Sequence, residues 1–133
     1  VALPLDFESS TLVYTFTNFG GATSTVVNNP NSAGINTSAK VGALTKDNGS
    51  QVWAGSFIEL ASPINFSTQQ TIKMKVWSPQ SGIVVKLKLE NLANSAINTE
   101  LDATTTVANA WQELTYTFAG TVSTYYFDDI KLN

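Results

Sequence analysis

Residues 71–90, TIKMKVWSPQSGIVVKLKLE, decide how this chain is read. In the first half Ile72, Met74 and Val76 alternate with Lys73, Lys75 and Trp77. In the second half Val85, Leu87 and Leu89 alternate with Val84, Lys86, Lys88 and Glu90. A period of two places successive side chains on opposite faces of extended backbone, so each half predicts a β-strand with one buried face. Ser78, Pro79, Ser81 and Gly82 supply a turn between them. The simplest pairing is a hairpin with Val76 facing Val85, Met74 facing Leu87 and Ile72 facing Leu89. Opposite residues share a face, so the outer set becomes Trp77 beside Val84, Lys75 beside Lys86 and Lys73 beside Lys88. Four of the seven lysines then lie on one face. Like charges directly across a strand pair are destabilising. Either carboxylates on neighbouring strands balance them, or the face meets something anionic.

Working outward, the rest of the chain is also strand-like. Residues 3–8 predict a first strand with Leu5 and Phe7 inward, and residues 11–19 a second strand or ordered loop ended by Gly20 and Gly21. Strands are expected over 22–27, 41–46 and 51–60, with a hairpin-type turn at Asp47-Asn48-Gly49 and a bulge near Gly55. Residues 28–37 read as a loop, and Ile64 and Phe66 as plugs of the core in the connection 63–70. A loop over 91–98, a strand or irregular edge over 99–107 and strands over 111–118 and 124–132 complete the pattern. Leu114, Tyr116 and Phe118 share one face. About eight to ten strands without a helix predict a β-sandwich or barrel, organised as a single domain over residues 1–133.

Composition excludes several functions. The chain has no cysteine, and so no disulfide framework and no thiolate chemistry. A net charge of −3 argues against a nucleic-acid partner. No apolar run is long enough for a membrane-spanning helix, and no membrane partner is expected. Histidine is absent too, which removes most nucleophile–base pairs. A two-carboxylate glycosidase site would have to draw on Glu59, Glu90, Glu100, Asp102 or Glu113, each more simply read as an exposed strand or loop carboxylate. The expectation is a protein that is not an enzyme, with no catalytic residues. No signal peptide is evident, and the strand-like ends are those expected of a module cut from a longer protein.

Acidic residues gather near both ends, Asp6 and Glu8 at one and Asp128 and Asp129 at the other. A hard cation such as Ca²⁺, which takes six to eight oxygens, relieves such repulsion; solvated edge carboxylates are the simpler alternative. Five segments carry a resemblance: LDFES (5–9), NPNSAGINTSAKVG (29–42), VWSPQSG (76–82), WQELTYTF (111–118) and YYFDDIKL (125–132). Together they resemble the calcium-containing jelly-roll carbohydrate-binding modules of secreted bacterial polysaccharide-degrading enzymes, nearest to family 16 and family 4 modules. The resemblance implies an all-β fold, a β-sandwich (jelly roll) of two antiparallel sheets. It implies a structural Ca²⁺ held by Glu8, Asp128 and Asp6 with backbone carbonyls near residues 36–40. It also implies a secreted, extracellular monomer, joined in one chain to a parent catalytic domain and binding a polysaccharide on the concave outer face of one sheet.

Sugar sites combine aromatic rings, which stack on pyranose faces, with polar side chains for the hydroxyls. Trp77 is expected to face outward, Trp53 is ambiguous, and Trp111 reads as core or rim. The expected ligand-binding set is Lys73, Lys75, Trp77, Lys86, Lys88, Glu90 and Trp53. Members that bind neutral glucans or mannans tend to place amides where this chain has lysines. That departure implies an anionic polysaccharide, a sulfated algal galactan such as carrageenan or porphyran, or alginate. The alternatives are a module for neutral β-glucan or mannan, and a structural or adhesive spacer in which the lysines only solubilise the strand face.

Overall fold

The computed structural model describes residues 1–118 and, by backbone alone, residues 127–132. These form nine strands and no helix: β1 Phe16–Phe19, β2 Ala22–Asn28, β3 Lys40–Lys46, β4 Gly55–Ile64, β5 Thr71–Ser78, β6 Val84–Glu90, β7 Asn98–Thr104, β8 Ala110–Thr117 and β9 Phe127–Leu132. All pairs are antiparallel. One sheet has five strands in the order β1-β4-β9-β6-β7, and β2–β3 and β5–β8 form two-stranded ladders.

The layers are held apart by the inward residues that alternation identifies. Leu60, Leu87 and Leu89 of the five-stranded sheet meet Leu114 and Tyr116 of β8, with Phe118 and Phe66 completing the buried cluster. Ile72, Met74 and Val76 of β5 pack onto it. The chain is therefore an all-β sandwich, with β5–β8 facing the five-stranded sheet across this cluster and β2–β3 as a separate two-stranded ladder.

The hairpin expected over residues 71–90 does not form. β5 pairs with β8, and β6 pairs with β7 and β9, so the two halves lie in opposite layers. Period-two alternation identifies the buried face of a strand but says nothing about its neighbour. Charge distinguishes the two arrangements. The hairpin would oppose lysine to lysine at two positions, whereas the observed registers set Lys75 opposite Glu113, Lys86 opposite Asp102 and Lys88 opposite Glu100 of β7, with Lys131 of β9 on the other side of Lys88. The connection 79–83 turns the corner around Thr105, which is 1 % exposed. The Gly82 amide donates to the Thr105 carbonyl (2.7 Å), the Ile83 amide to Thr105 Oγ1 (3.0 Å), and Thr105 Oγ1 to the Gln80 carbonyl (3.2 Å).

Other expectations shift locally. Residues 3–8 are not a strand, and β1 covers only the end of 11–19. Phe7 does point inward, its ring 5.2 Å from Tyr14 and 6.1 Å from Phe16. A Cβ at Gly42 would come within 3.0 Å of that ring, so glycine is what lets β3 lie against it. Asp47 accepts from the Ser50 amide (2.9 Å), but the turn steps between sheets and joins no hairpin. The irregularity in β4 falls between Glu59 and Ile64, beyond the Gly55 position expected.

Tyr116 links the layers. It is 1 % exposed, and its hydroxyl donates to the Val85 carbonyl (3.0 Å) across the core. Burial first, and then the charge of Asp102, push its phenol from 10.0 up to about 12. The folded protein keeps a proton that the unfolded chain releases, so this contribution is intact below pH 10 and is lost as pH rises toward about 12. Two pKa units correspond to roughly 2–3 kcal/mol. Tyr116→Phe should be less stable at neutral pH by about 1 kcal/mol and lose less stability than the parent on going to strongly alkaline pH. Urea unfolding at both pH values measures the difference.

Candidate functional site

Two tryptophans meet at the end of the β5–β8 ladder. Trp77 and Trp111 are direct register partners. Val76, next to Trp77, and Leu114, three residues from Trp111, belong to the core, so alternation turns both indoles to the outer face. Behind them along the same face come the pairs Lys75–Glu113, Lys73–Thr115 and Thr71–Thr117. The ladder thus offers one apolar step followed by polar rows.

A loop closes over that step. The β2–β3 connection is long, but the chain folds it by local hydrogen bonds. Asn29 Oδ1 accepts from the Asn31 amide (2.9 Å), and the Asn29 amide and Nδ2 donate to the carbonyls of Ala39 (2.8 Å) and Ser38 (3.0 Å). Ala33 and Asn36 form an isolated antiparallel bridge. Such asparagine turns fix a loop without a core of its own. The tip then lands on Trp111, whose Nε1 donates to the Asn31 carbonyl (2.7 Å). Between them lies a cleft of about 390 Å³, bounded by residues 30–34, Trp77 and the segment 109–111. Asn109 takes a left-handed conformation (φ 56°), and its amide donates to the Ser78 carbonyl (2.7 Å), which ties β8 to β5 at the cleft floor. An aromatic wall, a polar loop and an open mouth can stack a flat, partly apolar ring and hydrogen-bond its rim.

The expected ligand-binding set is divided by the fold. Lys73, Lys75 and Trp77 lie on the outer face of β5–β8, and Lys86, Lys88 and Glu90 belong to the opposite layer. The single lysine face is therefore corrected, because each half of 71–90 has a different sheet partner. Most of these lysines are also compensated. Lys73 Nζ lies 2.8 Å from Glu113, and Lys86 Nζ 3.0 Å from Glu100 and 2.9 Å from Asp102. Hydrogen bonds to Asp102 first and then Glu100 hold the Lys86 ammonium above its ordinary 10.5. Lys88 lies 3.4 Å from Glu90, a carboxylate only 7 % exposed. The exposed pairs, those of Lys73 and Lys86, add at most about 1 kcal/mol each, but they offset the lysine charge.

Trp53 sits elsewhere, 56 % exposed and stacked on Phe19 with centroids 6.3 Å apart at 13°. Gly20 lies beneath it, where a Cβ would fall 2.8 Å from the indole. Reading Trp111 as a core or rim residue left out its role as a wall of the cleft. Its position opposite Trp77 becomes visible only once β8 is known to be the partner of β5.

The calcium residues can be tested against their surroundings. Glu8 does reach the expected segment: the Lys40 amide donates to its Oε1 (2.7 Å). Asp6 Oδ1 accepts from the Glu8 amide (3.0 Å) and so shapes its own turn. The Asp128 side chain lies outside the described residues. Among the described residues no group of three or more acidic, histidine or cysteine side chains converges as a metal site. Glu8 thus stands against the segment 36–40, where the carbonyls of Asn36, Ser38, Ala39 and Lys40 each already accept one hydrogen bond and keep a second lone pair.

Comparison of the chain with protein-family models gives no match, and comparison with curated proteins gives none either.

Proposed function

We propose that this chain is a non-catalytic carbohydrate-binding module that seats a sugar ring on Trp77 and Trp111 under the 30–34 loop. The observation that carries the reading is the pair of outward indoles in direct register, walled into a cleft by an ordered polar loop. Aromatic faces desolvate the C–H face of a pyranose, and the loop amides and carbonyls exchange hydrogen bonds with its hydroxyls. In a secreted enzyme the module acts by local concentration, holding a parent catalytic domain on its polysaccharide.

The charge of the ligand is not decided by the four lysines, since they are split between layers and mostly paired with carboxylates. A neutral β-glucan or mannan is therefore as compatible with the cleft as a sulfated galactan or alginate. Affinity electrophoresis against laminarin, mannan, xylan, alginate and sulfated galactans tests the reading. Retardation by at least one, with quenching or shift of tryptophan emission, is the expected result. No retardation and unchanged emission throughout would leave the structural-spacer alternative.

A structural Ca²⁺ belongs to the same proposal. Glu8 and carbonyls of residues 36–40 would hold it, with Asp128 and Asp6 as the further carboxylates implied by the resemblance. The bound ion supplies charge neutralisation and ties the N-terminal segment to the loop. Excess chelator should lower the melting temperature by several degrees, and added Ca²⁺ should restore it, because a ligand that binds only the folded state stabilises it. An unchanged melting temperature removes the ion from the proposal.

A further inference from the structure

Lys75 stands apart from the other lysines. Among the described residues, Lys40, Lys46, Lys73, Lys86 and Lys88 each give their ammonium to an oxygen. Lys75 is exposed and makes no such bond to a described residue. Its cross-strand neighbour is Glu113, whose Oε1 is taken by Lys73 at 2.8 Å. Lys75 is also two residues from Trp77 on the same face, one strand repeat of roughly 6.6 Å. The outer face of β5–β8 therefore carries two ammonium groups against one carboxylate, and the uncompensated cation is in the row beside the indole pair.

We infer that Lys75 is a specificity residue that recognises a carboxylate or sulfate on the sugar next to the one stacked on Trp77 and Trp111. This rests on the proposed glycan cleft and adds the charge class of its ligand. A glycan running along the strands from the cleft passes over the Lys75 row within one sugar repeat. An ammonium acts there as a point charge with three donors, suited to either anion and without the planar fork of arginine. Removing an exposed charge contact of this kind changes affinity by about fivefold. The contribution shrinks as salt is raised, since screening sets in beyond roughly 8 Å at physiological ionic strength.

The test uses two matched pairs of polymers that differ in charge, polygalacturonate with its methyl ester and carrageenan with its desulfated form. The first pair reports a carboxylate and the second a sulfate. Affinity electrophoresis of the parent, Lys75→Gln, Trp77→Ala and Trp111→Ala at low and high salt gives the comparison. The expected result is an approximately fivefold preference of the parent for the charged member of at least one pair. Lys75→Gln should erase that preference by weakening binding to the charged member about fivefold. Parent protein with no preference in either pair overturns the inference, and so does a preference that survives in Lys75→Gln. Neither of those outcomes touches the cleft, which stands while Trp77→Ala and Trp111→Ala lower binding. If the parent binds none of the four polymers, the inference is overturned, and the wider glycan panel decides the cleft separately.

Discussion

Trp111→Ala is expected to weaken binding to the best-retarding polysaccharide by about 30-fold or more, the loss typical of a hot-spot aromatic near 2 kcal/mol. Two effects combine in this one residue. Its ring forms half of the apolar step, and its Nε1–H holds the Asn31 carbonyl and with it the loop wall. Trp77→Ala removes the other half of the step but leaves the loop anchored, so its loss should be similar or somewhat smaller. Trp111→Phe separates the contributions: it keeps an aromatic face and forfeits only the hydrogen bond, for an expected loss nearer to fivefold. The fold should survive all three, because both indoles face outward and the buried cluster is untouched. Equal binding by Trp77→Ala, Trp111→Ala and the parent would show that the cleft is not where the glycan sits.

Leu89→Ala should have the largest effect on stability. Leu89 is 0 % exposed and belongs to the cluster where β6 faces β8. Truncating such a leucine forfeits its transfer energy and leaves a cavity that a sandwich closes poorly, for about 2–5 kcal/mol. Against a typical total of 5–15 kcal/mol this is a large share. The melting temperature should fall by roughly 10 °C. Leu44→Ala, on an exposed position of β3, is the control and should change stability by less than about 1 kcal/mol. Chemical and thermal unfolding of the two variants side by side measure the contrast. A small effect of Leu89→Ala would mean that the layers are not pressed together through this residue.

What could be read from residue order was the inside of the protein. Ile72, Met74, Val76, Val85, Leu87, Leu89, Leu114, Tyr116 and Phe118 all follow from alternation and all face the core. What could not be read was who stands beside whom. A strand has two edges, and its pattern of faces is the same for any antiparallel neighbour. The clue lay in the charges: Glu100 and Asp102 in β7, and Glu113 in β8, alternate so as to meet the lysines of β6 and β5. Lysine opposite lysine is not by itself a sign against a pairing, since Lys88 lies opposite Lys131 in β9; what the hairpin lacks is the carboxylates that face Lys75, Lys86 and Lys88. Thr105 was invisible because its buried hydroxyl serves a corner between sheets, which leaves no periodic trace. The Trp77–Trp111 step inherited the same blindness, since it exists only through the β5–β8 pairing.

The excursion between β2 and β3 has one further consequence. Its tip holds Trp111 and its base meets Glu8 through the Lys40 amide, so a single short piece of backbone touches the glycan cleft at one end and the proposed ion residues at the other. Any coupling between its two ends is reciprocal. Should tightening the Glu8 end change the affinity of the proposed cleft by some factor, a ligand seated in the cleft would change affinity at the Glu8 end by that same factor.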